Sequence, residues 1–323
     1  MQTIKVGIVG GAGYTGGELL RLLLPHPAVE ITFVHSNSSA GKPVYEIHSD
    51  LFGDTDLHFT NVLMEDIDVL FLCMGHGDSK VFLAENDIDK EIKIIDLSQD
   101  FRLKDTAGEF VYGLPELNKE KIKKANYIAN PGCFATALQL ALLPLAHVAK
   151  MPESVYINAL TGSTGAGQSL STTSHFSWRA NNISVYKAFT HQHLSEIGES
   201  LVQLQSDYVQ NIKFIPERGD FARGIFASVM FESTLTEDEL YTMYNTYYAS
   251  HPFTHVSKKG IDLKQVVNTN KCLVSIVKNE NDVLVTSAID NLLKGASGQA
   301  VQNMNLLFGL DEKTGLQLKA SAF

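Results

Sequence analysis

The first 130 residues alternate short β-branched runs with helical stretches. Ile4-Lys5-Val6-Gly7-Ile8-Val9 reads as a strand, followed by glycines and a helix through Glu18 to Leu24 that Pro25 and Pro27 end. Val29 to Val34 is the next strand, and Asp68 to Leu72 and Ile92 to Asp96 repeat the pattern, each leading into a polar turn. Apolar strands alternating with helices imply a parallel sheet covered on both faces, because each crossover lays a helix against it. The fold class expected for residues 1–131 is α/β, a doubly wound parallel domain of nucleotide-binding type.

Beyond Asn130 the pattern changes. Strand-like stretches at Ser154 to Leu160, Gly224 to Glu232, Leu273 to Val277 and Val283 to Ile289 are separated by long helical segments. They predict an α+β domain over residues 132–290 with a mixed sheet. Leu292, Leu293, Ala296, Ala300, Val301, Met304 and Leu307 recur near helical spacing, so Asp290 to Leu310 is expected as one long helix. Residues 291–323 are then a third segment returning to the first domain. No internal repeat or low-complexity tract interrupts this plan.

Composition narrows the function. A chain of 323 residues holds about two domains. With 26 Lys and Arg against 36 Asp and Glu, the net charge is −10. Such a surface repels nucleic acid and anionic membranes unless basic residues cluster, and the densest stretch, Lys119 to Lys124, is broken by Glu120 and reads as a solvated helix face. The longest apolar run, around Ala135 to Ala149, contains Gln139, Pro144 and His147 and is short for a membrane span. Cys73, Cys133 and Cys272 form no CxxC pair and no disulfide framework, which suits a reducing compartment. With no secretory signal visible, a soluble cytoplasmic protein that binds neither nucleic acid nor membrane is expected.

Gly11-Ala12-Gly13-Tyr14-Thr15-Gly16 fits GxGxxG, and Gly10, Gly13 and Gly16 also fit GxxGxxG. The run follows a strand and opens a helix, the context in which a Rossmann loop brings its backbone against a pyrophosphate at the helix N-terminus. The bland alternative is a glycine-rich turn without a ligand. Gly10, Gly13, Tyr14, Thr15 and Gly16 are the candidate cofactor contacts. An NAD site places Asp or Glu after the second strand to hold the ribose 2′-OH. Here that strand ends in His35-Ser36-Asn37-Ser38-Ser39-Ala40-Gly41-Lys42, without a carboxylate. Hydroxyls at Ser36 and Ser38 and the charge of Lys42 favour a 2′-phosphate, hence NADP(H).

Cys133 follows Asn130-Pro131-Gly132 at the start of an apolar helix. A helix N-terminus favours thiolate, so Cys133 is a candidate nucleophile, against the alternative of a small buried apolar residue. Cys73 and Cys272 lie in strand-like stretches and read as core. In His191-Gln192-His193-Leu194-Ser195-Glu196-Ile197, His193 and Glu196 are three apart at a helix start, so their side chains can meet. A carboxylate that orients an imidazole fixes its tautomer and raises its basicity. His193 is therefore the better acid/base candidate of the two histidines, without settling the choice. Zinc ligation by the pair lacks a third ligand of suitable spacing, so no metal is expected.

These features together resemble the N-acetyl-γ-glutamyl-phosphate reductases of arginine biosynthesis, relatives of aspartate-semialdehyde dehydrogenase. The likeness runs through Gly10 to Glu18 (GGAGYTGGE), Asp96 to Leu103 (DLSQDFRL), Tyr112 to Leu117 (YGLPEL) and Asn130 to Ala137 (NPGCFATA). It continues through Thr161 to Gly167 (TGSTGAG), His191 to Ile197 (HQHLSEI) and Asp290 to Leu307 (DNLLKGASGQAVQNMNLL). Each block is modest; in this order they are specific. The resemblance implies NADPH-dependent reduction of an acyl phosphate to a semialdehyde through a Cys133 thioester, with His193 and Glu196 handling protons. It implies Arg102 as an anion contact, His191 at the substrate and Asn291 near the nicotinamide. It also implies a homo-oligomer, a dimer or a tetramer, whose second domain serves catalysis and dimerisation.

Two departures stand out. Relatives often carry Arg after the serine of the 2′-phosphate loop, where this chain has Asn37. Relatives typically read SHFxEVNEN where this chain has His175-Phe176-Ser177-Trp178-Arg179-Ala180-Asn181-Asn182. The resemblance implies acetyl as the acyl group; replacing two carboxylates by a guanidinium offers the alternative of one that itself carries a carboxylate, such as succinyl, bound by Arg179. A repacked surface loop is the equal alternative. Rival functions are reduction of an aspartyl or aminoadipyl phosphate, a glyceraldehyde-phosphate-type dehydrogenase, and a non-catalytic NADP-binding sensor.

Overall fold

The computed structural model describes residues 3–322. The chain forms two compact units. One comprises the residues up to Pro131 together with Ala296–Gln317; the other comprises Gly132–Gly295 together with the residues from Leu318.

The first unit is built on seven strands, β1 (Ile4–Val9), β2 (Val29–His35), β3 (Phe59–Thr60), β4 (Val69–Leu72), β5 (Lys93–Asp96), β6 (Val111–Tyr112) and β7 (Tyr127–Ala129). Their order is β3-β2-β1-β4-β5-β7-β6, and every pairing is parallel. The continuous apolar run of β1 places Val6, Ile8 and Val9 out of solvent, as a strand covered on both faces requires. One side core joins Val9, Phe33, Leu70 and Leu72 to Phe82, Ile92 and Ile94. Strand order reverses between β1 and β4, the switch point at which doubly wound sheets open a crevice beyond their strand ends.

The second unit carries β8 (Val155–Thr161), β9 (Ser184–Val185), β10 (Ile212–Arg218), β11 (Ile225–Glu232), β12 (Thr254–Ser257), β13 (Cys272–Asn279) and β14 (Asp282–Ile289). The order β12-β13-β14-β11-β8-β10-β9 mixes parallel pairs, β8 with β10 and β12 with β13, with antiparallel ones. Period-two alternation gives the sheet two unlike faces. Val155, Ile157, Ala159, Ile225, Ala227, Val229 and Phe231 point into a core against the helix Cys133–His147. Tyr156, Met230 and Val277 point the other way and are exposed.

The α/β plus mixed-sheet plan agrees with the sequence, but β3, β6, β7, β9, β10 and β12 are not marked there and the last helix differs. β10 escaped the sequence pattern because Pro216 breaks it; a proline removes one ladder donor, yet pairing with β8 runs unbroken from Ile212 to Arg218. The single helix expected over Asp290–Leu310 is instead a π-turn, Leu293–Ser297, followed by the α-helix Gly298–Leu307. Asp290 causes this. Its carboxylate accepts the N–H groups of Leu292 and Leu293, and the Gly295 N–H reaches back to its carbonyl, an i to i+5 bond. Among the described residues no helix is long and apolar enough to cross a membrane.

Candidate active site

In the first unit, β1 runs into the glycine loop and the helix Tyr14–Leu23. The N–H groups of Gly10 and Gly11 both donate to the His35 carbonyl at the end of β2. Gly10 has φ +79°, and a β carbon there would stand 2.4 Å from the Cys73 carbonyl oxygen. At Gly16 it would stand 2.6 Å from the Gly11 α carbon, so the helix can approach the loop only without a side chain. Gly13, the helix N-cap, is different: a β carbon there would meet nothing nearer than the Gly10 carbonyl at 3.6 Å. The loop is pinned behind and open in front, which fits a dinucleotide pyrophosphate.

Ser36 is buried and its hydroxyl lies 3.4 Å from that of Ser38, so the two stand together after β2 with no carboxylate in the turn. Asn37 and Lys42 are exposed. Tyr14 is partly exposed at the helix start, and the Thr15 carbonyl accepts from Ser297 Oγ.

Arg102 is turned onto the main chain. It is buried, with Nε on the Asn130 carbonyl and Nη2 on the Leu97 carbonyl, both at 2.8 Å. Those bonds brace the main chain leading into Pro131 and Gly132. A guanidinium committed to carbonyls has fewer donors left for a ligand.

In the second unit, Cys133 is the first residue of its helix, half-buried, with Gly132 as N-cap. Phe134 to Ala146 behind it are buried, so the helix is fixed and its N-terminal end directed by packing. Glu196 ties the constellation together. Its Oε2 accepts the Gly132 N–H at 3.0 Å, and its Oε1 lies 3.8 Å from His193 Nε2. One carboxylate thus holds both the turn that presents the thiol and the imidazole expected to serve it. Gly295, in the π-turn, packs on the other side of Cys133.

The two histidines divide. The Nδ1 of His191 accepts the His193 N–H at 3.2 Å, so its proton sits on Nε2. His191 is enclosed by Phe134, Tyr186, His193 and Phe214. Burial, then the Lys187 charge, lowers its pKa to about 4 against the pull of Glu196. A ring neutral at pH 7 with one nitrogen occupied suits support better than proton transfer. Tyr186 is held as neutral phenol: burial raises its pKa first, the Cys133 charge adds to this, and Arg218 opposes it.

Arg179 is largely engaged within its own loop. Only 7% exposed, it donates through Nη1 to the Arg218 carbonyl at 2.8 Å and through Nη2 to the Thr173 carbonyl and Ser184 Oγ, both at 3.3 Å. Its guanidinium stacks on Trp178 at 4.7 Å. Most of its fork closes its own loop, leaving a buried Nε without an acceptor. Arg218 carries no motif in the sequence. Its guanidinium lies over the Tyr186 ring at 4.8 Å, also with a buried, unaccepted Nε. Burial and the nearby Arg218 charge lower the Arg179 pKa, so the two cations stand close.

Asn291 is 2% exposed, with Oδ1 on the Gly224 N–H at 2.6 Å and Nδ2 on Thr164 Oγ1 at 3.1 Å. It fastens the Thr161–Gly167 and Ala222–Gly224 turns to the segment beside Cys133. Beside it, Asp290 accepts from Arg223 at 3.0 and 3.2 Å. Among the described residues no three His, Cys, Asp or Glu side chains group to hold a metal ion.

Residues 5–125 match the semialdehyde dehydrogenase NAD-binding domain, and residues 133–291 match the semialdehyde dehydrogenase dimerisation domain. Relatives named N-acetyl-γ-glutamyl-phosphate reductase align along 99% of this chain and 100% of their own. They include those of Christiangramia forsetii at 57% identity, Flavobacterium johnsoniae at 59% and Bacteroides fragilis at 56%. Among solved structures, aspartate semialdehyde dehydrogenase II of Vibrio cholerae, complexed with ASA, superposes with a TM-score of 0.75 at 18% identity, covering 96% of this chain and 99% of that one. The Candida albicans aspartate semialdehyde dehydrogenase with NADP does so at 0.69 and 13%, covering 95% and 99%. At such identities those two speak for the fold, whereas the full-length relatives decide the family: the chain belongs to the N-acetyl-γ-glutamyl-phosphate reductases.

Proposed function

We propose that this chain catalyses the NADPH-dependent reduction of an N-acyl-γ-glutamyl phosphate to the N-acylglutamate semialdehyde, releasing inorganic phosphate, in arginine biosynthesis. The observation that carries the chemistry is the double attachment of Glu196, to the Gly132 N–H and beside His193 Nε2. Cys133 Sγ attacks the acyl carbonyl, a C–S bond forms, and the C–O bond to phosphate breaks. His193, oriented by Glu196, gives the departing phosphate its proton and regains one from solvent. Gly10, Gly13, Tyr14, Thr15 and Gly16 would hold NADPH, with Ser36 and Ser38 at its 2′-phosphate, and the bound cofactor would supply the hydride that reduces the thioester carbon. The carbonyl then re-forms, the C–S bond breaks, and Cys133 leaves as thiolate. His191 supports His193 and can offer the substrate only its Nε2–H. Asn291 and Arg102 act through the turns that they brace.

Mixing the protein with NADPH and enzymatically generated N-acylglutamyl phosphate tests this by absorbance at the reduced nicotinamide band. Oxidation that needs both the substrate and Cys133, and vanishes in Cys133→Ser, is expected. No oxidation in protein that binds NADPH would sink the reading in favour of another acyl phosphate or a sensor.

A second reading concerns the acyl group. Arg179 and Arg218 stand close, each with a buried Nε lacking an acceptor. That favours a carboxylate on the acyl group, as in succinyl. Comparing kcat/KM for N-acetyl and N-succinyl substrates, with and without Arg179→Ala, decides it; an unchanged acetyl preference in both proteins excludes a role for Arg179. We further propose that the chain works as a homo-oligomer in the cytoplasm, pairing copies through the sheet face that carries Tyr156, Met230 and Val277.

A further inference from the structure

His48 belongs to none of the motifs noted in the sequence. It lies between the single-turn 3-10 helices Val44–Glu46 and Ser49–Leu51, in the connection from β2 to β3. It is 5% exposed, and its Nε2 stands 2.8 Å from the Gly11 carbonyl oxygen. A carbonyl only accepts, so Nε2 carries a hydrogen and donates it. Burial lowers the pKa of the ring, with the nearby Arg21 charge acting the same way, which leaves it neutral at pH 7. The ring's other edge lies on Gly17 in the first helical turns, where a β carbon would stand 2.5 Å from Cε1 and 2.7 Å from Nδ1. Two residues on, Asp50 takes both Nε and Nη2 of Arg21, at 2.6 and 2.5 Å. That fork fastens the His48 loop to the same helix.

The geometry points to His48 as a positioning residue for the dinucleotide, one that sets the Gly11–Ala12 peptide plane from behind. In a trans peptide the carbonyl and the next N–H face opposite ways. With the Gly11 carbonyl turned onto His48, the Ala12 N–H is turned away from it, and it has no acceptor among the described residues. An oriented N–H without a protein partner beside an open glycine is a ready donor to an anion. His48 contributes no charge and touches no ligand; it decides which way the peptide faces.

The inference rests on the cofactor reading, and the test separates the two. Dissociation constants for NADPH are measured by nicotinamide fluorescence, without substrate, on the full chain and on His48→Leu, His48→Gln and Gly17→Ala. Leu keeps bulk but loses the donor, and affinity is expected to fall about tenfold. Gln restores a donor and is expected to recover most of that loss. Gly17→Ala displaces the ring while leaving His48 in the chain, and carries the test if the Leu variant fails to fold. Alkylation of Cys133 is expected to keep its rate throughout. Unchanged affinity in both Leu and Ala variants, or equal losses in Leu and Gln, overturns the role of His48 alone. Absence of NADPH binding in the unmutated chain overturns the cofactor reading and this inference with it.

Discussion

Gly295 lies against Cys133 so closely that a β carbon at 295 would stand 2.8 Å from the cysteine Cβ and 3.2 Å from its Cα. The atoms that would have to give are the root of the side chain and the backbone, not a flexible tip. The absence of a side chain at 295 is therefore a condition on where the sulfur sits.

Gly295→Ala is accordingly expected to act on chemistry and not on cofactor binding. Gly295 is not in the left-handed region, so alanine meets no backbone penalty there. Displacing the thiol by a fraction of an ångström to an ångström should lower kcat by about 100-fold. Overpacking should cost roughly 1–3 kcal/mol of stability. Steady-state kinetics beside NADPH affinity checks this: the affinity, a property of the other unit, should stay within about twofold.

Glu196→Gln separates the two duties of that carboxylate. Glutamine keeps an oxygen for the Gly132 N–H but removes the charge beside His193. A loss in kcat on the order of 100-fold with little change in melting temperature is expected. Glu196→Ala should lose about 1–3 kcal/mol as well, because it strands the Gly132 N–H. Kinetics and thermal melts on the pair distinguish these outcomes.

Acid should weaken the fold through His191. Its folded pKa is about 4 against 6.5 for the ordinary ring, so the unfolded chain takes a proton first as pH falls. The stability conferred by the neutral ring is complete above about pH 6.5 and is lost progressively as pH falls toward 4. The buried rings of His26 and His48 carry the same sign. Thermal melts from pH 7 to 4.5 should show a steady drop, and His191→Phe should reduce its slope even if it lowers the starting value. An unchanged slope in that variant would remove His191 from the account.

Ser38→Asp tests the absence of a carboxylate after β2. Ser38 is exposed beside Ser36, so the substitution costs the fold little. A carboxylate near a 2′-phosphate should weaken NADPH by about tenfold or more while sparing NADH. Titrating both cofactors checks it, and equal losses would place the 2′-phosphate elsewhere.

Much of this was legible in the chain because local chemistry and fold agree. β1 starts and stops where the apolar run meets Gly10, and Cys133 opens a helix because Pro131 and Gly132 cannot continue one backward. What escaped depends on contacts between distant segments. Nothing near Arg218 in sequence signals that Tyr186 lies beneath it, and nothing near Gly295 signals Cys133. The carbonyls around Arg179 are equally hidden in the sequence, because the loop's backbone, including Asn181 at φ +54°, decides which of them reach the guanidinium. The helix expected after Asp290 failed for a related reason: periodicity sees apolar positions and not a carboxylate that caps them.

The placement of the thiols gives the molecule a built-in record of its own opening. None of the three is in a disulfide, and Cys133 alone is half-exposed; Cys73, whose thiol burial pushes up to about 12, is sealed in the first unit, and Cys272 in the second. Once Cys133 is blocked, a slow thiol reagent can reach Cys73 only when the parallel sheet breathes and Cys272 only when the mixed sheet does. Two clocks then run in one chain, and a gap between their rates would show that the two halves unfold as separate cooperative bodies.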